Sequence, residues 1–227
     1  MSGNARQAAS ACLRLLEEAL YPSHVACALC NREALLDEHN LCAACASTLV
    51  PCGVLDAPPP LDGLFAAYQY KGGAVAGIHA LKYSNQTRLA PFFADAIDLP
   101  PEWEIDSVVP VPLHPLKQWL RTYNQSELIA KSLCRRLHLK LNAKLLRRTR
   151  FTQTQTALDE FERAKNVANA FSASNAAKGL SVLLIDDVTT THSTLLACAV
   201  ALKQAGASHV YAACACSAGK HDEEQSE

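Results

Sequence analysis

The chain has 227 residues, 49% of them hydrophobic and 19% charged, and a net charge of −1. That suits one medium domain with a small added module, and it excludes wholesale disorder and a polyanion-binding surface spread over the whole molecule. With no run of 18 apolar residues, no membrane-spanning helix is predicted.

Residues 1–22 read as a short amphipathic leading helix, with Leu13, Leu16 and Leu20 on one side and Arg14, Glu17 and Glu18 among them. Charges in its leucine-rich part rule out a signal-peptide apolar region, so a cytoplasmic protein is expected. Its ten cysteines then point to metal binding or inert thiols rather than disulfides. Residues 23–55 form a cysteine module. Cys27-Ala-Leu-Cys30 and Cys42-Ala-Ala-Cys45 give the pattern C-x2-C-x11-C-x2-C. Tetrahedral Zn2+ takes four soft ligands, and each C-x2-C knuckle supplies two. Cys27, Cys30, Cys42 and Cys45 are therefore the predicted ligands of a structural zinc, with free thiols as the alternative. The gap is short for a ribbon but admits a hairpin turning around Asp37-Glu38-His39-Asn40. Cys52 or His39 could stand in for a ligand, although the paired spacing argues against it. Four protein ligands close such a site, so this zinc is not expected to be catalytic. Cys12, Cys134, Cys198, Cys214 and Cys216 read as small buried hydrophobes.

DAPPPLDG (56–63) is a proline-rich connector, and residues 64–217 read as the main domain. FAAYQY (65–70) is a predicted strand, KGG (71–73) a turn, and AVAGIHALKY (74–83) with the stretch to Ile97 helical. IDSVVPVPL (105–113) is a β-branched run ending in prolines. Asn124 is a suitable N-cap for a helix running to about Leu137, with Leu128, Ile129, Leu133 and Leu137 at helical spacing. SVLLI (181–185) is a buried strand, and Thr194 to Gln204 a helix stopped by Gly206. HVYAACACS (209–217) is another buried strand, and residues 218–227 a disordered acidic tail. Strand, helix, strand at this spacing predicts an α/β fold with a parallel sheet, and ligands bind such sheets at the carboxyl ends of the strands.

Asp186 and Asp187 stand at one such end, and Thr189, Thr190, Thr191, His192, Ser193 and Thr194 follow before the next helix. Backbone N–H groups and the dipole at a helix start favour an anion, and short hydroxyl side chains add donors. Two carboxylates just before such a cradle suit the vicinal hydroxyls of a sugar phosphate. The plain alternative is a helix cap with spare polar residues, but strand, acidic pair and hydroxyl-rich helix entry in one stretch favour the ligand site.

VLLIDDVTTTHSTL resembles the phosphoribosyl-pyrophosphate signature of type I phosphoribosyltransferases. Together with KYSNQTRLA (82–90), VVPVPLHPLKQWLRTYNQSELIAKSL (108–133), LLRRTRFTQTQTALDEFERAKNVANAF (145–171) and the cysteine knuckles, it is similar to the ComF/GntX family, associated with competence and DNA uptake in some bacteria. The resemblance spans nearly the whole chain. It implies a Rossmann-like type I phosphoribosyltransferase core behind a zinc ribbon, acting on phosphoribosyl pyrophosphate with Mg2+ bridging pyrophosphate and ribose oxygens. It casts Asp186 and Asp187 as the catalytic carboxylates on the ribose hydroxyls, Thr190, Thr191, His192, Ser193 and Thr194 as the 5′-phosphate loop, and Pro110-Val111-Pro112-Leu113 as the pyrophosphate-side loop. Two departures stand out: His192 replaces the family's usual glycine, and Arg121-Thr122-Tyr123-Asn124-Gln125 replaces the usual RGFNQ. Glycine permits positive φ and close approach of backbone to phosphate, which histidine does poorly, although His192 could donate to the phosphate itself.

Arg163 and Lys165 are candidates to neutralise phosphate charge, or simply a solvated helix face. Lys82-Tyr83 and Asn124-Gln125 are candidate acceptor contacts, or helix surface and cap. Between Leu128 and Leu158 there is no acid, and Lys131, Arg135, Arg136, Lys140, Lys144, Arg147, Arg148 and Arg150 concentrate positive charge there. Two functions follow: phosphoribosyl transfer to an acceptor the sequence does not identify, or a non-catalytic competence factor that senses phosphoribosyl pyrophosphate or binds single-stranded DNA alongside competence proteins.

Overall fold

The computed structural model describes residues 26–113, 123–149 and 170–219. The leading helix, Arg121, Arg150, Arg163, Lys165 and the end of the acidic tail lie outside them. The chain divides into two compact units, residues 1–47 and 48–227.

In the first unit, isolated antiparallel bridges join Ala26 to Glu33 and Leu36 to Cys42. The turn between them is built by Asp37, whose Oδ1 accepts from the N–H groups of His39 and Leu41, both at 2.9 Å. Asn40 follows at φ 60°, a left-handed position that asparagine tolerates. This is the hairpin predicted around Asp37–Asn40. A single-turn helix, α1 (Ala43–Ala46), carries the second knuckle.

The second unit is organised on a five-stranded sheet of order β1-β2-β7-β6-β3. Its strands are β1 (Pro51–Leu55), β2 (Gly63–Gln69), β3 (Ser107–Pro110), β6 (Ser181–Thr189) and β7 (His209–Ser217). Only β1 runs antiparallel; β2, β7, β6 and β3 are mutually parallel. Residues 51–55, expected within the cysteine module, pair instead with β2 as the edge of the main sheet. PCGVL carries proline and glycine and no alternation, so its strand character arises from this pairing.

Strands β6 and β7 are near-continuous apolar runs because both faces of a parallel sheet are covered. Val182, Leu183, Leu184, Ile185, Ala212, Ala213, Cys214 and Cys216 are all fully buried. The helices are α2 (Gly73–Tyr83), α3 (Leu89–Asp95), α4 (Gln125–Leu137) and α5 (Ser193–Gln204). In α4 the Asn124 side chain accepts from Ser126 N–H at 3.1 Å, the predicted cap, and Ile129 and Leu133 are buried. After α5 the chain turns at Gly206, φ +91°, as anticipated from its position past the last helical residue. A separate two-stranded antiparallel sheet pairs β4 (Leu146–Arg148) with β5 (Phe171–Ala173), with no signal in the sequence beyond the basic run. Among the described residues no helix is long and apolar enough to cross a membrane.

One predicted boundary moves. SVLLI was expected to end the strand before the acidic pair, but β6 continues to Thr189, paired with β7 through Asp186↔Cys214, Val188↔Cys216 and Thr189↔Ser217. The acidic residues thus belong to the sheet rather than to a loop after it.

Candidate functional site

Because β3 lies parallel to β6 with Pro110 opposite Ile185, the Val111-Pro112 segment leaves the same sheet end at which Asp186 and Asp187 sit. Val111 N–H donates to Ile185 O at 2.9 Å, and Asn124 Nδ2 donates to Val111 O at 3.0 Å. Asn124 therefore caps α4 and anchors the loop after β3 at once. The fold brings together the acidic pair, the 190–194 turn and Val111-Pro112.

Consecutive strand residues leave opposite faces, and the two acids find different partners. Asp186 Oδ1 accepts from Ser126 Oγ on α4 at 2.8 Å and from Asp187 N–H at 2.9 Å. Asp187 is buried, and its Oδ1 lies 2.9 Å from Lys82 Nζ on α2. Among the described residues these contacts all fall on Oδ1 of each carboxylate. Burial, then the charge of Asp187, pushes the Asp186 carboxyl up to about 7, against the pull of the Ser126 hydroxyl, the Asp187 N–H and Lys82. For Lys82, burial disfavours the ammonium, but Asp187 and then Asp186 outweigh it and hold its pKa above the ordinary lysine value.

A raised folded-state pKa on an acid means that the folded protein keeps a proton the unfolded chain has already lost. The associated stability is full below about pH 4 and lost as pH rises through about 7. Since Asp186 keeps some solvent contact, a loss of roughly 2 kcal/mol is expected rather than the full value of the shift. Denaturant titrations at pH 4.5 and 8 should find this slope in the wild type and a clearly smaller one in Asp186→Asn; equal slopes would contradict the environment described for Asp186.

At the turn, Thr190 is exposed, and Thr191, His192, Ser193 and Thr194 are half-buried. His192 occupies the left-handed region, φ 59° and ψ 0°, where glycine is at ease and histidine is strained. Its Nδ1 lies 2.8 Å from Thr189 Oγ1 at the buried end of β6, so the ring is held against the strand; burial lowers its pKa. Thr191 Oγ1 donates to Ser193 Oγ at 3.1 Å. No side chain caps α5, so its first N–H groups point outward without a side-chain acceptor.

Sequence reasoning placed Lys82 as a candidate acceptor contact or helix surface; the structure pairs it with Asp187 at 2.9 Å. That reasoning did not single out Ser126. The N-Q-S-E entry to α4 was the available signal for Ser126, since a helix start presents short hydroxyls near a strand end. The basic run is dispersed. Lys131 pairs with Glu127 at 2.7 Å, Arg136 donates to the carbonyls of Ala94 and Ile97, and Arg148 lies over the Phe171 ring at 5.4 Å. Arg135, Lys140, Lys144 and Arg147 remain exposed.

In the first unit, the sulfurs of Cys27, Cys30, Cys42 and Cys45 lie within 4.8 Å of one another. Cys30 and Cys42 Sγ are 3.9 Å apart, against about 3.8 Å for two thiolates at tetrahedral angles on a zinc–sulfur bond of usual length. Cys42 N–H donates to Cys27 Sγ at 3.3 Å. Burial works against the Cys27 thiolate, but the N–H groups of Cys30, Cys42 and Leu29 overcome it and hold the thiol down at about 6. The donor set fits a closed, four-sulfur metal site.

No protein-family model matches the chain. Among known proteins, DNA utilization protein YhgH of Escherichia coli (strain K12) is 33% identical over 181 residues, covering 74% of this chain and 78% of its own. Competence protein F of Haemophilus influenzae (strain ATCC 51907 / DSM 11121 / KW20 / Rd) is 35% identical over 108 residues, 46% of this chain and 47% of its own. Glutamine phosphoribosylpyrophosphate amidotransferase from B. subtilis, solved with ADP and GMP, overlaps 64% of this chain at a TM-score of 0.38 and 18% identity; the overlap spans 28% of that enzyme. A mostly parallel sheet flanked by helices, with a four-cysteine module near the amino terminus, defines the class as an α/β protein with an appended four-cysteine module. Within that class, the chain belongs to the ComF/GntX family of competence and DNA-utilization proteins.

Proposed function

We propose that this protein binds phosphoribosyl pyrophosphate with Mg2+ and transfers its phosphoribosyl group to an acceptor. The observation that carries the reading is the acidic pair in the second half of β6, followed within a few residues by the uncapped amino terminus of α5. In this reading Oδ2 of Asp186 and of Asp187 accept the ribose hydroxyls. The N–H groups at the start of α5 and the hydroxyls of Thr190, Thr191, Ser193 and Thr194 take the 5′-phosphate. Val111 and Pro112 wall the pyrophosphate, and Arg163 and Lys165 are its candidate counter-charges. Mg2+ bound with the ligand would supply charge stabilisation to the leaving pyrophosphate. The protein's part is positioning and shielding, since displacement at the ribose anomeric carbon needs no protein nucleophile. The four cysteines hold a structural Zn2+ apart from this chemistry.

Calorimetric titration with phosphoribosyl pyrophosphate, with and without Mg2+, tests the reading; Mg2+-dependent saturable binding is expected, and its absence sinks it. His192→Gly should raise affinity about fivefold, because glycine relieves the left-handed strain and lets backbone approach the phosphate. If affinity falls instead, the imidazole is a needed phosphate donor.

A second reading is a non-catalytic single-stranded DNA binder, favoured by the exposed Arg135, Lys140, Lys144 and Arg147 and by the names of the relatives. DNA retention that falls steeply with salt, without pyrophosphate release, would favour it.

A further inference from the structure

The entry to α4 reaches three walls of the candidate site. Asn124 Nδ2 donates to Val111 O at 3.0 Å, on the segment that follows β3. The Ser126 hydroxyl donates to Asp186 Oδ1 at 2.8 Å. The Tyr123 hydroxyl donates to the carbonyl of Leu81, whose neighbour Lys82 pairs with Asp187 at 2.9 Å. That hydroxyl is this chain's own addition, since the usual RGFNQ has phenylalanine at the position. Helix capping explains a single bond of the set, Asn124 Oδ1 accepting from Ser126 N–H. The other three run outward from the helix start to separate elements, and Asn124 and Ser126 make theirs from buried positions.

These bonds close a ring. Asn124 holds Ser126 N–H and the Val111 carbonyl, Val111 N–H donates to Ile185 O at 2.9 Å, Ile185 leads directly into Asp186, and Asp186 returns to Ser126. Asp186 Oδ1 takes a second donor, Asp187 N–H, at 2.9 Å. Two fixed donors on one oxygen oppose rotation of the carboxylate about its Cβ–Cγ bond. Asn124, Ser126, Val111 and Ile185 are all buried, so these polar groups cannot trade their partners for water without cost.

We propose that Tyr123, Asn124 and Ser126 form a brace that sets both acids and the loop after β3 as one unit, with Ser126 the positioning residue of Asp186. A ligand docking against one wall meets the others already aligned, so the brace contributes to binding by fixing geometry in advance rather than by contact. The ligand's identity rests on the phosphoribosyl reading; the brace itself does not.

The test pairs a ligand-free measurement with a binding one. Ser126→Ala removes one hydroxyl. In the full chain without ligand, the carbon NMR midpoint of the Asp186 carboxyl, assigned with Asp186→Asn, should rise by about half a pH unit or more, because a donor to the ionised form is lost. Ser126→Thr, which keeps the hydroxyl, should restore it. A midpoint that Ser126→Ala leaves in place overturns the proposal. Should Ser126→Ala not fold, Ser126→Cys, with a far weaker donor, takes its place and is read in the same way.

Calorimetry with phosphoribosyl pyrophosphate and Mg2+ reads the unit as a whole. Affinity should fall about tenfold in Ser126→Ala and about threefold in Tyr123→Phe, while the double variant binds little worse than Ser126→Ala, since residues of one network are not additive. Losses that multiply to about thirtyfold would make the two residues independent and overturn the brace. A moved Asp186 midpoint in a chain that binds no phosphoribosyl pyrophosphate would uphold the brace and sink the phosphoribosyl reading. Wild-type binding that Ser126→Ala leaves intact would do the reverse.

Discussion

Removing the metal from the four-cysteine site is expected to unfold residues 26–47 while leaving the main sheet intact. Within this stretch the buried apolar residues are Cys27, Leu29 and Leu41, and its one helix has four residues. Burying three such side chains contributes a few kcal/mol, whereas fixing some twenty residues costs on the order of 1 kcal/mol each or more. Structural zinc binding, worth roughly 10–16 kcal/mol in small modules, would close that gap. A chelator, or Cys27→Ser, should abolish amide protection across 26–47 and leave the exchange of β6 and β7 unchanged. A mild, chelator-free preparation should hold about one zinc per chain. Less than half an equivalent, with full protection retained, would refute the zinc assignment.

Replacing Asp186 and Asp187 together by alanine should lower affinity for phosphoribosyl pyrophosphate with Mg2+ by about a hundredfold or more, since two hydrogen bonds to charged acceptors are lost, each worth roughly 1.5–3 kcal/mol. The single changes are expected to differ. Asp186→Ala removes an acid held by a hydroxyl and a backbone N–H, so the fold should tolerate it. Asp187→Ala leaves the Lys82 ammonium buried without its partner, and a stability loss of about 3 kcal/mol is expected with it. Melting curves taken beside the titrations separate the two effects. A double variant that binds as the wild type does would remove the acids from the site.

What the sequence by itself determined lies in short spans of chain. The paired C-x2-C knuckles with the Asp37 turn, the Asn124 cap, the buried runs of β6 and β7, and the hydroxyl-rich entry to α5 are each written within a few neighbouring residues. Backbone geometry converts such local patterns directly into structure. The run from Asp186 to Thr194 also carried the likeness to phosphoribosyl-pyrophosphate signatures, through its order of side chains alone.

Only the tertiary structure decided the rest. β1, β4 and β5 are strands of three to five residues whose extended form comes from their partners. The extension of β6 through the acids follows from ladder pairing with β7. Ser126 meets Asp186 from 60 residues away, and Lys82 meets Asp187 from a different helix, so no local period announces either contact. The basic run shows the same limit in reverse. Its charges look continuous along the chain, but helix geometry and long-range packing send Arg136 to the end of α3, Lys131 to Glu127 and Arg148 onto Phe171. Electrostatic partnerships depend on distance in space, and the sequence encodes that distance only through the finished fold.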